Sequence, residues 1–174
     1  MPTKPDRQAR QIRSIPGSFQ TRTLENGEPV IEGYFAVFNS DYFLWPGATE
    51  RVAPGAFADD LHADVRALCD HDTRIVLGRT TAGTLTLTED ERGLYGVIKI
   101  NTADGDAMNL YARVQRGDVS QCSFGFDILD EEYIINPDGS ELWLIRKVKL
   151  YEVSVVTFPA YEETSVSARS ADTP

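Results

Sequence analysis

The sequence predicts an α+β domain dominated by strands: a closed or nearly closed antiparallel β-barrel with a few flanking helices. Three observations carry this expectation. Short runs of alternating or β-branched residues recur between turns rich in Gly, Pro, Asn and Asp. Only two segments read as helices. Many short strands also need closure or cover, because open edges invite pairing with other chains.

Residues 1–11 predict a flexible basic arm. They are polar and contain Pro2 and Pro5, and the first thirteen residues carry Lys4, Arg7, Arg10 and Arg13 against Asp6 alone. The domain proper spans residues 12–161. Strands are expected over 19–24 and 30–38, joined at Asn26-Gly27, a pair that supplies the positive φ of a tight hairpin. Residues 39–54 read as a loop with exposed Tyr42, Phe43 and Trp45, and Pro54 opens a short helix to about His62. Strands follow over 65–69, 75–78, 84–88 and 94–100, the last two separated by the acidic turn 89–93. The best helix is 103–116, where Ala107, Leu110, Tyr111 and Val114 recur at helical spacing and Gly117 supplies a stop. Strands over 119–129, 131–135, 142–149 and 151–158 complete the core, with a turn at Asn136-Pro137-Asp138-Gly139. Residues 162–174, with Val166 as their one large apolar residue, predict a flexible tail.

At 174 residues the chain suits one domain with a proper core. A net charge of −10 argues against non-specific binding to nucleic acid or an anionic membrane, both polyanionic. No stretch approaches the ~20 apolar residues of a membrane span. The start lacks the apolar core of a signal peptide, so a cytoplasmic protein is expected. Two cysteines, Cys69 and Cys122, are too few for a disulfide scaffold. Inert packing suits both better than catalysis, although a cysteine hydrolase using Cys122 or Cys69 stays open.

The residues that carry chemistry are a base, hydroxyls and an acid. His71 stands at a strand end between Asp70 and Asp72, and its imidazole can take a proton from a hydroxyl and return it to a leaving amine. The plainer reading is a solvated loop histidine. His62 lies among Asp59, Asp60 and Asp64 and reads as a solvated helix residue. No cluster of ligands suggests a metal, and no cofactor is implied. Ser120 and Ser123 compete as nucleophile and face opposite sides of one strand. Gly125 either leaves a backbone N–H free for an oxyanion or marks a β-bulge. Glu152 sits in an apolar run and shares a face with Ser154, so it either faces water on an edge or orients His71.

Five blocks together resemble one family. They are Gly33-Tyr34-Phe35-Ala36-Val37-Phe38-Asn39; Val52-Ala53-Pro54-Gly55-Ala56-Phe57; Asp70-His71-Asp72 with Leu77-Gly78-Arg79; Ser123-Phe124-Gly125-Phe126; and residues 150–161. In that order they resemble the prohead maturation proteases of tailed bacteriophages, over roughly residues 10–165. The resemblance implies a herpesvirus-assemblin-like barrel and a serine endopeptidase packaged in the procapsid within the host cytoplasm. Such an enzyme trims the scaffolding segment of the major capsid protein and then itself. It also implies that His71 is the base, Ser123 the nucleophile and Glu152 the orienting acid. Cys122 stands where the family motif usually has methionine. The expected partners are the capsid protein, its scaffolding segment and other copies of the chain as substrate, with a homo-oligomer open. The rival reading is a non-catalytic capsid-assembly component built on the same barrel.

Overall fold

The computed structural model describes residues 6–15 and 19–158. Among the described residues eleven strands form two sheets, and one α-helix accompanies them. The strands are β1 (Gln11–Ile15), β2 (Gln20–Thr23), β3 (Pro29–Val37), β4 (Tyr42–Trp45), β5 (Ala48–Val52), β6 (Arg66–Cys69), β7 (Asp72–Arg79), β8 (Leu85–Glu89), β9 (Gly93–Lys99), β10 (Gln121–Ile135) and β11 (Glu141–Val156). The helix is α1 (Gly105–Arg116).

The smaller sheet runs β2-β3-β9-β8, antiparallel throughout. The larger runs β1-β10-β11-β5-β4, with β6 also on β11 and β7 on β6. Among the described residues no strand pairing joins the two sheets, so the expected closed barrel is instead a pair of sheets around one core. Nor is the pairing purely antiparallel, because β11 takes β5 along its first half and β6 along its second, both parallel. The outer strands are β1, β4 and β7 of the larger sheet and β2 and β8 of the smaller; all but β7 are four or five residues long, and short edges are poor templates for pairing.

Aromatic rings pack within the core beside β10. Phe57 meets Phe124 edge-on at 5.5 Å between centroids, and Phe124 stacks on Phe126 at 4.7 Å. Helix α1 buries Ala107, Leu110 and Val114, the spacing that predicted it. Asp104 caps its start, accepting from the Asp106 N–H, and Gly117 ends it with φ +91°.

Other expectations need correction. The loop expected over 39–54 contains the β4–β5 hairpin, its turn made at Gly47 with φ +83°. Pro46 before that glycine is a turn signal that the three neighbouring aromatics disguise. The helix expected over 54–62 is a single 3-10 turn, Ala58–Asp60, so the helices flanking the sheets are fewer than expected. The strands expected over 119–129 and 131–135 are one long strand, β10, and those over 142–149 and 151–158 are one long strand, β11, paired with register shifts near Gly125 and Asp130. Part of the basic head lies against the sheet. Arg7 bridges Glu50 and Glu131, and β1 pairs along β10 from Gln11 to Ile15. Residues 1–5 and the expected tail 162–174 lie outside the described residues.

Candidate active site

The site is built where β11 runs between β10 and β6. Ser123 on β10 pairs with Ser154, Gly125 pairs with Glu152, and β6 lies on the other side of β11 with Leu68 opposite Ser154. Strand β6 then delivers the chain into a two-residue turn, Asp70-His71, closed by the Cys69–Asp72 pair. Asp70 has φ +50° and His71 φ +57°. Positive φ at both central residues is the signature of a type I′ turn, usually made by Asn-Gly. Left-handed backbone costs a side-chain-bearing residue about 1–2 kcal/mol, so the turn must be held from outside. It is held by β11 and the residue after it. The Asp70 N–H donates to the Val155 carbonyl at 2.9 Å, the His71 N–H to Ser154 Oγ at 3.1 Å, and the Thr157 N–H to Asp70 Oδ1 at 2.8 Å.

This places the imidazole between an acid and a hydroxyl. His71 Nδ1 contacts Glu152 Oε1, and Nε2 lies 2.9 Å from Ser123 Oγ. A carboxylate accepts only, which assigns the proton to Nδ1 and leaves Nε2 to receive one. Glu152 Oε2 accepts from the Ser154 hydroxyl at 2.7 Å. Ser123 is fully buried, and its hydroxyl also donates to the Arg13 carbonyl of β1 at 2.9 Å. One serine proton thus has two acceptors, the imidazole and a peptide carbonyl.

Gly125 has a steric task. A Cβ built there would lie 2.7 Å from Glu152 Oε1, so the missing side chain is the space through which the carboxylate reaches His71. Ser120 and His62 are exposed, and neither has a hydrogen bond to the trio. Cys122, next to Ser123, faces the other side of β10, where its thiol donates to the Tyr34 carbonyl at 2.7 Å. Burial pushes the Cys69 thiol up, and the negative Asp70 adds to this, so its reactive thiolate is disfavoured. Among the described residues no group of three or more His, Cys, Asp or Glu could hold a metal, and no helix is long and apolar enough to cross a membrane.

Two further groups touch the site, the Arg13 carbonyl and the Ser154 hydroxyl. The Arg13 carbonyl is a backbone atom and leaves no trace in the sequence. Ser154 does leave one, because it stands two residues from Glu152 and so shares its face.

Serine hydroxyl, imidazole and carboxylate in a line, carried on two paired strands and the turn beside them, are the arrangement of a serine hydrolase site. The profile of the caudovirus prohead serine protease family matches residues 17–173, and the chain belongs to that family. It is 31% identical over 150 residues to the prohead protease of Enterobacteria phage HK97, covering 84% of this chain and 62% of that protein. It is 29% identical over 98 residues to the prohead protease of Escherichia phage T5, covering 56% of this chain and 42% of that protein. The chain therefore spans less than two thirds of the length of these relatives. The capsid assembly protease of bacteriophage T4 shares the fold, with a TM-score of 0.56 at 14% identity over 84% of this chain and 96% of that one.

Proposed function

We propose that this chain is a serine endopeptidase of capsid maturation, with Ser123 as nucleophile, His71 as general base and acid, and Glu152 as the orienting acid. The observation that carries this reading is the imidazole of His71 held between Glu152 and Ser123. Ser123 Oγ attacks the scissile carbonyl while His71 Nε2 takes its proton. The resulting imidazolium is stabilised by Glu152 and gives the proton to the leaving amine. Water then enters, His71 takes a proton from it, and the acyl-enzyme is hydrolysed. Backbone N–H groups near Gly125 serve the oxyanion.

The substrate is the scaffolding segment of the major capsid protein inside the procapsid, in the host cytoplasm, and then the chain itself. The relatives' names support the setting. The Arg13 carbonyl resting on the Ser123 hydroxyl supports self-processing at the head, since β1 lies extended beside the nucleophile. Residues 162–174, the expected tail, lie outside the described residues. The assembled trio weighs against a non-catalytic assembly component, and the placement of Cys122 weighs against a cysteine hydrolase. Mass spectrometry of capsid precursor co-expressed with the chain tests the reading: discrete trimming is expected with the parent and none with Ser123→Ala. Intact masses of the chain over time test self-processing separately, since equal masses for parent and Ser123→Ala would sink that part alone.

Two variants probe the acid. Glu152→Gln keeps the shape but loses the charge that favours the imidazolium, so trimming falls by about 10⁴-fold, the size seen when an orienting acid becomes an amide. Trimming at the parent rate would move the acid elsewhere. Gly125→Ala places a methyl against the Glu152 carboxylate, which must swing away. Because the displaced atom is the tip of a flexible side chain, Tm changes little while trimming falls about 100-fold, the usual cost of a misplacement near 1 Å. Thermal melts and trimming rates on the same preparation separate the two effects. A large loss of Tm with activity retained per folded molecule would refute the steric account.

A further inference from the structure

We infer that Ser154 is a positioning residue of this site, fixing the acid and the base with a single hydroxyl. The inference rests on the protease reading above and adds a member that the Ser, His and acid pattern does not contain. Three contacts carry it. The His71 N–H donates to Ser154 Oγ at 3.1 Å, the Ser154 hydroxyl donates to Glu152 Oε2 at 2.7 Å, and Glu152 Oε1 meets His71 Nδ1. These bonds close a ring that begins at the backbone of His71 and returns to its imidazole.

The geometry explains why such a ring is needed. The terminal torsion of a glutamate side chain is broad, so one contact to the imidazole leaves its carboxylate free to turn. The second contact, from Ser154, removes that freedom. At its other end His71 has left-handed backbone in a turn that lacks glycine, and Ser154 is one of the partners that hold it. Ser154 is fully buried, so water cannot replace the hydroxyl at either bond. It also stands directly across from Ser123 in the β10–β11 register, which carries the clasp on the same two strands as the nucleophile and the acid.

The test uses the full chain with ¹⁵N-labelled histidine and compares Ser154→Ala, Ser154→Thr and Ser154→Val. Thr keeps the hydroxyl, while Val matches its volume without one, so that pair isolates the hydroxyl even if Ala fails to fold. One readout is the imidazole tautomer of His71, with exposed His62 as internal reference. The parent and Thr variants hold the proton on Nδ1, whereas Ala and Val lose part of that population while His62 stays unchanged. The other readout is trimming of co-expressed capsid precursor, which falls about 10–100-fold in Ala and Val and is restored in Thr. Because Ser154 acts through Glu152, Ser154→Ala added to Glu152→Gln slows trimming no further. Parent-like tautomer and rate in Ala and Val, or effects that multiply in the double variant, overturn the inference. If Glu152→Gln and Ser123→Ala both trim at the parent rate, the protease reading fails, and Ser154 then stands or falls on the tautomer comparison.

Discussion

Ser123→Ala and His71→Ala each reduce capsid-precursor trimming to the level of the double variant. Nucleophile and base act as a unit, because a hydroxyl without its base is a poor nucleophile and a base without its hydroxyl has nothing to activate. In a serine hydrolase either loss alone costs on the order of 10⁶ in kcat, and the second adds little. The contacts on either side of the His71 imidazole, Nδ1 with Glu152 and Nε2 with Ser123 Oγ, support the same coupling here. The fold survives, since Ser123→Ala removes one hydroxyl, shared between the Arg13 carbonyl and His71 Nε2, at a cost of about 1–3 kcal/mol. Ser120→Ala and His62→Ala serve as matched controls, both exposed and away from the trio, and both keep parent activity. Trimming that survives Ser123→Ala but not Cys122→Ala would reverse the choice of nucleophile. A double variant far below either single one would show that the two residues act separately.

The side chains of His71, Ser123 and Glu152, singled out in the sequence, meet in the structure, whereas the architecture that presents them was harder to read. His71, Ser123 and Glu152 lie 52 and 29 positions apart along the chain, and periodicity alone does not join them. Their family pattern does, and the strand pairs Ser123–Ser154 and Gly125–Glu152 give it a spatial form. Helix α1 was legible because its apolar spacing and its Gly117 stop agree. The β4–β5 hairpin was not, because Tyr42–Trp45 is all apolar and Thr49, Glu50 and Arg51 stand in a row, so neither strand alternates in residue type; of the aromatics expected to be exposed only Phe43 is, Tyr42 and Trp45 being half-buried. Closure was misread for a deeper reason. Short strands announce that edges must be managed, but whether by closing a barrel or by keeping the edges short depends on long-range pairing. Here that pairing is decided by β11, which takes parallel partners on one side along both halves. The Asp70-His71 turn also lacks its usual glycine, so the sharp reversal that aims the imidazole reads as an ordinary strand end.

Glu50→Gln lowers the stability of the whole domain and loosens β1 first. Glu50 is 1% exposed on β5, yet it faces two arginines from the head of the chain. Arg13 approaches both of its oxygens, at 2.5 and 2.9 Å, and Arg7 approaches Oε2 at 2.8 Å. Burial works against the Arg7 charge, but its hydrogen bond to Glu131 and the negative Glu50 outweigh this and hold the guanidinium above its ordinary pKa. Removing the central acid leaves Arg13 buried with no carboxylate, a loss of about 3–5 kcal/mol for a broken buried pair. For a domain of this size that is a fall in Tm of roughly 10 °C. Arg7 retains Glu131, so the loss concentrates on Arg13 and on β1, the edge strand it anchors across the sheet. Amide hydrogen exchange should therefore report faster opening of residues 11–15 before any change in α1 or the smaller sheet. Replacing both partners, Arg13→Leu with Glu50→Leu, recovers much of the Tm because no buried charge is left unpaired. A Glu50→Gln protein melting within about 2 °C of the parent, against the ~2–4 °C expected per kcal/mol, would show that the head is not anchored by this acid.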